Sequence, residues 1–143
     1  MVMKSTTEGQ VSFKLGNEEF GLPADNIIEI MQVPEINQLP HTADYLLGVI
    51  KVKGVIIPII DLKKKLTGDA TNMDADCRII IMEINYSQVG LLVESLGDNF
   101  DYESSELESP DNTESEVPSN YLLGIARSDN NLIKILDYKA LLG

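Results

Sequence analysis

The chain has no tryptophan, one cysteine, one histidine and three phenylalanines in 143 residues. Each scarcity removes a class of chemistry. Cys77 alone cannot close an internal disulfide, and Cys77 with His41 cannot assemble a zinc ligand set. The longest apolar run, Val55 to Ile60, falls far short of the ~20 residues needed to span a bilayer as a helix. No apolar secretory segment stands at the start. The chain therefore reads as soluble and intracellular, with no direct membrane insertion.

Positive charge is also scarce. Between Ile79 and Ala126 there are ten acidic residues, Glu83 through Glu116, and no Lys or Arg. The formal net charge is −12, which argues against nucleic acid as a partner, because phosphate-backbone binding depends on clustered cations that release counterions. The acidic run reads as a solvated loop over residues 97–120.

Side-chain catalysis needs a nucleophile with a base, paired carboxylates in a cleft, or a metal with several ligands. None is legible. His41 lies in a proline-bearing loop and reads as a surface residue, and Cys77, just before an apolar strand, reads as a small buried hydrophobe. Asp69, Asp74 and Asp76 lack the spacing of a calcium loop. The stretch Gly48 to Gly54 combines glycines with lysines, but its interior alternates as a strand, with Lys51 and Lys53 expected on one face. No catalytic residue, cofactor or metal is expected. Asn85-Tyr86-Ser87 fits a glycosylation acceptor, but its place between two apolar runs reads as a hairpin turn.

What the chain does have is a repeat. Residues 45–66 recur as 121–142 without a gap, with 9 identities in 22 pairs, among them Tyr45-Leu46-Leu47-Gly48 against Tyr121-Leu122-Leu123-Gly124. Two related units follow from this, with halves at about 10–68 and 77–143 and strands open to exchange between them. Residues 1–9 lack periodicity and read as a flexible tail.

Val11, Phe13 and Leu15 alternate with polar residues, turn at Gly16-Asn17, and return through Phe20-Gly21-Leu22 as a hairpin. Ala24 to Met31 reads as a short helical turn or a bent strand. Val49 to Val52 and Val55 to Ile60 are two strands joined at Lys53-Gly54. Pro58 lacks a ladder donor, so it is expected at an edge, a bend or a bulge. Asp61 and Asp137 precede short helices in equivalent repeat positions and read as structural helix caps. A second hairpin, Arg78 to Val93, mirrors the first, and Ile125 to Leu136 form the last. Many short strands with only terminal helical turns predict an all-β chain of two small barrels.

Tyr45 to Leu62, together with Phe20-Gly21-Leu22, Ile27-Ile28-Glu29-Ile30, Gly90 to Glu94, Tyr121 to Gly124 and Leu136-Asp137, resembles the signature of the CheW family of chemotaxis adaptors. The likeness covers about residues 10–142. It implies two five-stranded SH3-like barrels in a non-enzymatic adaptor, cytoplasmic and recruited to membrane receptor arrays. The implied partners are the regulatory domain of a CheA-type histidine kinase and the cytoplasmic tip of chemoreceptors. It maps receptor contact onto Ile27, Gly48 and Lys53 in a groove between barrels, and kinase contact onto Glu29, Ile30 and Met31. Lys53 stands where the family usually has Arg, and lysine lacks the bidentate fork that arginine offers a carboxylate. The alternatives are a sister adaptor of a pilus or other chemosensory system, the isolated regulatory domain of such a kinase, or a small β-barrel enzyme.

Overall fold

The computed structural model describes residues 7–40, 43–103, 106–112, 115–128 and 130–142. His41 lies outside them. Among the described residues ten strands occur in chain order: β1 Thr7–Leu15, β2 Glu18–Pro23, β3 Ile27–Gln32, β4 Leu46–Val52, β5 Val55–Asp61, β6 Arg78–Ile84, β7 Ser87–Val93, β8 Ser95–Glu103, β9 Leu122–Ser128 and β10 Asn131–Leu136. Two short helices follow β5 and β10: α1 Leu62–Thr67 and α2 Tyr138–Leu142.

The strands form two five-stranded sheets, as the family resemblance implied: β8-β1-β2-β10-β9 and β3-β6-β7-β5-β4. Each sheet joins two antiparallel hairpins through one parallel contact, β2 with β10 in the first and β7 with β5 in the second. The hairpins of one sheet come from different repeat halves. Accordingly the first compact unit runs through Ala24 and resumes at Gly97, while the second spans Asp25–Leu96.

In the second unit Ile50, Ile57, Ile59, Cys77, Ile79, Ile81 and Leu92 form a buried cluster. Met31 and Val33 at one sheet edge and Leu47 and Val52 at the other pack on it, so both edges wrap the same core. Each isoleucine buried there contributes roughly 1.5–3 kcal/mol of transfer free energy. The first unit packs Phe100, Tyr102 and Leu107 on Ala126, Ile133 and Ile135, and Phe13 stacks on Phe20 at 6.0 Å. Lys134 is buried there and is neutralised by Glu18, with Nζ 3.2 Å from Oε1.

Several local expectations change. Residues 97–103, expected within a loop, belong to strand β8, where Phe100 and Tyr102 face the core while exposed Asp98 and Asp101 keep the sheet edge from pairing with other chains. Strand β1 opens at Thr7, ahead of the expected start of order. Ala24 to Met31 combines both forms weighed for it, a 3-10 turn at Ala24–Asn26 and then β3, with a bulge between Ile27 and Glu29.

Pro58 sits in a central strand and not at an edge. Its partner Val49 exchanges backbone bonds of 2.9 and 2.8 Å with Asn37, so Val49 turns its polar groups away from β5 and asks no donor of Pro58. Parallel pairing with β7 begins one residue later, at Ile59. Lys51 lies in β4, but Lys53 occupies the turn at φ 52°, so the two lysines do not share a strand face.

Candidate functional site

All six residues that the resemblance assigns to partners lie in the second unit. Glu29, Ile30 and Met31 are consecutive on the edge strand β3, and alternation sends them to opposite sides. Met31 packs on the core cluster, Glu29 is half-buried, and Ile30 is 36% exposed. Beside it on the outer side stands Ile28, 49% exposed, which makes an apolar pair on the rim of the sheet. The bulge at Ile27/Glu29 and the half-buried Glu29 blunt this edge against backbone pairing, so side chains are what it offers a partner.

Ile27 is half-buried at the head of β3, opposite Met82. Just ahead of it, Asn26 Nδ2 donates to the carbonyl of Glu83 at 3.3 Å and fixes this end of β3 to β6. Lys53 is exposed at the tip of the β4–β5 hairpin. Its two-residue turn with Gly54 has φ 52° and 84°, a combination that fits the twist of the flanking strands.

Gly48 is different. It is buried at φ 147° at a break in the β4–β5 register, and a Cβ there would overlap the carbonyl oxygen of Asn37. The loop backbone at Asn37 bridges to Val49 through this gap. The repeat reproduces the device in the first unit: Glu108 bridges to Ile125, and a Cβ on Gly124 would stand 2.8 Å from the Glu108 oxygen. Gly48 thus holds a loop against an edge strand, and roughly 13 Å of strand separates it from Val52, the residue before Lys53. The structure does not gather Gly48 and Lys53 into one compact contact.

Asp61 is buried. Its Oδ1 accepts from Lys64 N at 3.2 Å and from Thr71 Oγ1 at 2.7 Å, and its Oδ2 accepts from Thr71 N at 2.9 Å. Asp137 Oδ1 accepts from Ala140 N at 3.2 Å. Each carboxylate accepts from a backbone donor in the first turn of a helix, and Asp61 also holds Thr71 beyond the end of α1. Lys63 Nζ lies 3.6 Å from Glu94 Oε1. Burial pushes the Cys77 thiol up from its ordinary pKa, and its Sγ sits 3.7 Å from the Asn72 carbonyl.

Among the exposed apolar residues, Val55 at 42%, Ile56 at 66% and Tyr86 at 99% exposure are ones that the sequence reading did not single out. The run Val55 to Ile60 held a signal, since a strand alternates and only part of such a run can face one core. Tyr86 held another, as a non-glycine residue in an Asn-initiated two-residue turn.

The model of the CheW-like domain matches residues 10–143. A chemotaxis protein CheW of Bacillus subtilis is 28% identical over 138 residues, covering 96% of this chain and 88% of the relative. One from Klebsiella aerogenes is 26% identical over 130 residues, covering 91% and 78%. The crystal structure of scaffolding protein TtCheW from Thermoanaerobacter tengcongensis superposes with a TM-score of 0.85 at 29% identity, covering 96% of this chain and 89% of that one. With two sheets of matching pattern, a repeated glycine-and-loop bridge and a family match over nearly its whole length, the chain belongs to the family of CheW-like domains.

Proposed function

We propose that this chain is a non-enzymatic adaptor that couples chemoreceptors to the regulatory domain of a CheA-type histidine kinase, working in the cytoplasm at receptor arrays. The observation that carries the reading is the apolar pair Ile28 and Ile30, held in solvent on an edge strand, in a chain whose family is one of adaptors. Aliphatic side chains left in water on a blunted edge are suited to packing in a protein interface.

In this reading Ile30 is the kinase contact, with Glu29 setting charge beside it and Met31 anchoring the strand from the core side. Ile27 and Lys53 meet the receptor, and Gly48 serves that face by seating the 37–49 bridge. Calorimetric titration of the chain with a kinase regulatory domain, and separately with a receptor cytoplasmic fragment, tests the proposal. Binding to both is expected. A correctly folded chain that binds neither overturns it.

A further inference from the structure

One buried charge has no part in the function proposed above. Lys134 on β10 is 6% exposed, with Nζ 3.2 Å from Glu18 Oε1 and 5.9 Å from the centre of the buried Phe20 ring. The repeat offset puts Pro58 at the equivalent position of the second unit, so this cation has no counterpart there. An ammonium held among apolar groups is strongly unfavourable without a paired anion, which commits Glu18 to Lys134.

The same carboxylate holds a distant piece of chain. Ser115 Oγ donates to Glu18 Oε1 at 2.5 Å and Glu116 N donates to Glu18 Oε2 at 3.4 Å, while Val117 N turns back to Ser115 Oγ at 3.1 Å. Among the described residues, every hydrogen bond from 115–117 to another part of the chain ends on Glu18. Val117 is buried at the end of this piece, and Glu116 is exposed. Lys134, Glu18 and residues 115–117 all belong to the first unit, apart from the residues assigned to partners.

We propose that residues 115–117 form a strap closed by a relay from Lys134 through Glu18, with Lys134 a positioning residue for a segment it holds only at second hand. The ion pair fixes the Glu18 carboxylate where it accepts from Ser115 and Glu116. Hydrogen bonds to an ionised acceptor are roughly twice as strong as neutral ones, so one oriented carboxylate suffices to close a segment that has no other anchor of this kind. Without the cation, Glu18, whose side chain is 20% exposed, is free to turn to water. Its two bonds to the strap are then lost together. The strap opens as a local unit and Val117 leaves its burial, while the β2–β10 pairing stays closed.

Amide hydrogen exchange followed by NMR tests the relay in the wild-type chain, in Lys134→Met and in the double substitution Glu18→Gln/Lys134→Met. The contacts of Lys134 run to Glu18 and Phe20 and not to the strap, so a change at the strap amides reports transmission through Glu18. Lys134→Met is expected to speed exchange at Glu116 and Val117 at least about fivefold, with Gly21 and Ile135, paired across β2 and β10, within roughly threefold of wild type. The double substitution leaves no buried charge and keeps a neutral acceptor at position 18, so its strap is expected to exchange faster than wild type and more slowly than Lys134→Met. Strap amides within twofold of wild type in Lys134→Met overturn the relay, because burial of Val117 then suffices to hold the strap. Acceleration at Gly21 and Ile135 equal to that at the strap overturns it too, since the whole unit is then what loosens. Should Lys134→Met fail to fold, the double substitution decides alone: strap exchange within twofold of wild type overturns the relay, and a larger rise confined to the strap supports it. Neither arm depends on what the chain binds.

Discussion

At the scale of single residues, Asp61 and Asp137 stand at one repeat position and share two contacts: a backbone bond to the tyrosine that opens each repeat, 2.7 Å to Tyr45 and 2.8 Å to Tyr121, and a cap at the helix start. Asp61 alone also holds Thr71 through both oxygens while buried. Replacing a cap by alanine costs about 1 kcal/mol, and stranding buried donors adds roughly 1–3 kcal/mol. Asp61→Ala is therefore expected to cost about 3 kcal/mol and Asp137→Ala about 1 kcal/mol in urea unfolding, with partner affinity spared in both. Equal losses would show that the Thr71 bonds contribute nothing. Cys77 adds a dependence on pH. Its folded thiol resists ionisation because it is buried, so the unfolded chain releases the proton at a lower pH. The contribution of Cys77 to stability is whole below the ordinary thiol range, and it is lost as pH rises through that range toward the raised folded value. Thermal midpoints between pH 8 and 10 are expected to fall more steeply for the wild type than for Cys77→Ala.

Elements set the next level of control. Strand β3 puts Ile30 in solvent and Met31 in the core, so Ile30→Asp is expected to leave the fold intact and weaken kinase binding by about 2 kcal/mol or more, as an unpaired carboxylate enters a packed contact. Unchanged affinity in calorimetry would remove β3 from the kinase interface. The loop bridges make a different demand. Gly48→Ala forces a Cβ onto the Asn37 carbonyl at a positive φ, and is expected to cost about 3 kcal/mol in chemical denaturation. Gly124→Ala, with a looser approach to Glu108, is expected to cost less. Any receptor defect of Gly48→Ala would then track the displaced loop, and a mutant of wild-type stability that lost receptor binding would restore Gly48 as a direct contact.

For the whole molecule, charge decides how partners arrive. A net charge of −12 repels acidic partners at long range, while Lys51 and Lys53 present local attraction at the hairpin rim. Such attraction is screened by salt, with a Debye length of about 8 Å at physiological ionic strength. Co-sedimentation with receptor-bearing membranes is expected to weaken as salt rises. Lys53→Glu is expected to lower receptor binding about tenfold with the kinase spared, and Lys53→Arg to keep or strengthen it through a bidentate contact. If Lys53→Glu binds receptor as the wild type does, at low and high salt alike, this rim is not where the receptor docks.

Legibility in the sequence followed the range of the interactions. The hairpins at Gly16-Asn17 and Lys53-Gly54, a further hairpin turn opening at Asn85, the helix starts after Asp61 and Asp137, and the duplication itself were readable because turn chemistry, capping and alternation act between residues a few positions apart. The tertiary structure decided what depends on distant partners. It assembled each sheet from hairpins of both repeat halves, drew 95–103 out of the acidic stretch as a strand through Phe100 and Tyr102, and let Pro58 sit centrally because Asn37 had already claimed the polar groups of Val49. It also sorted one apolar vocabulary into two roles, burying Ile57 and Ile59 while leaving Ile28, Ile30 and Ile56 in water. Composition cannot make that distinction, because an isoleucine becomes core or interface according to which strand, many residues away, packs over it.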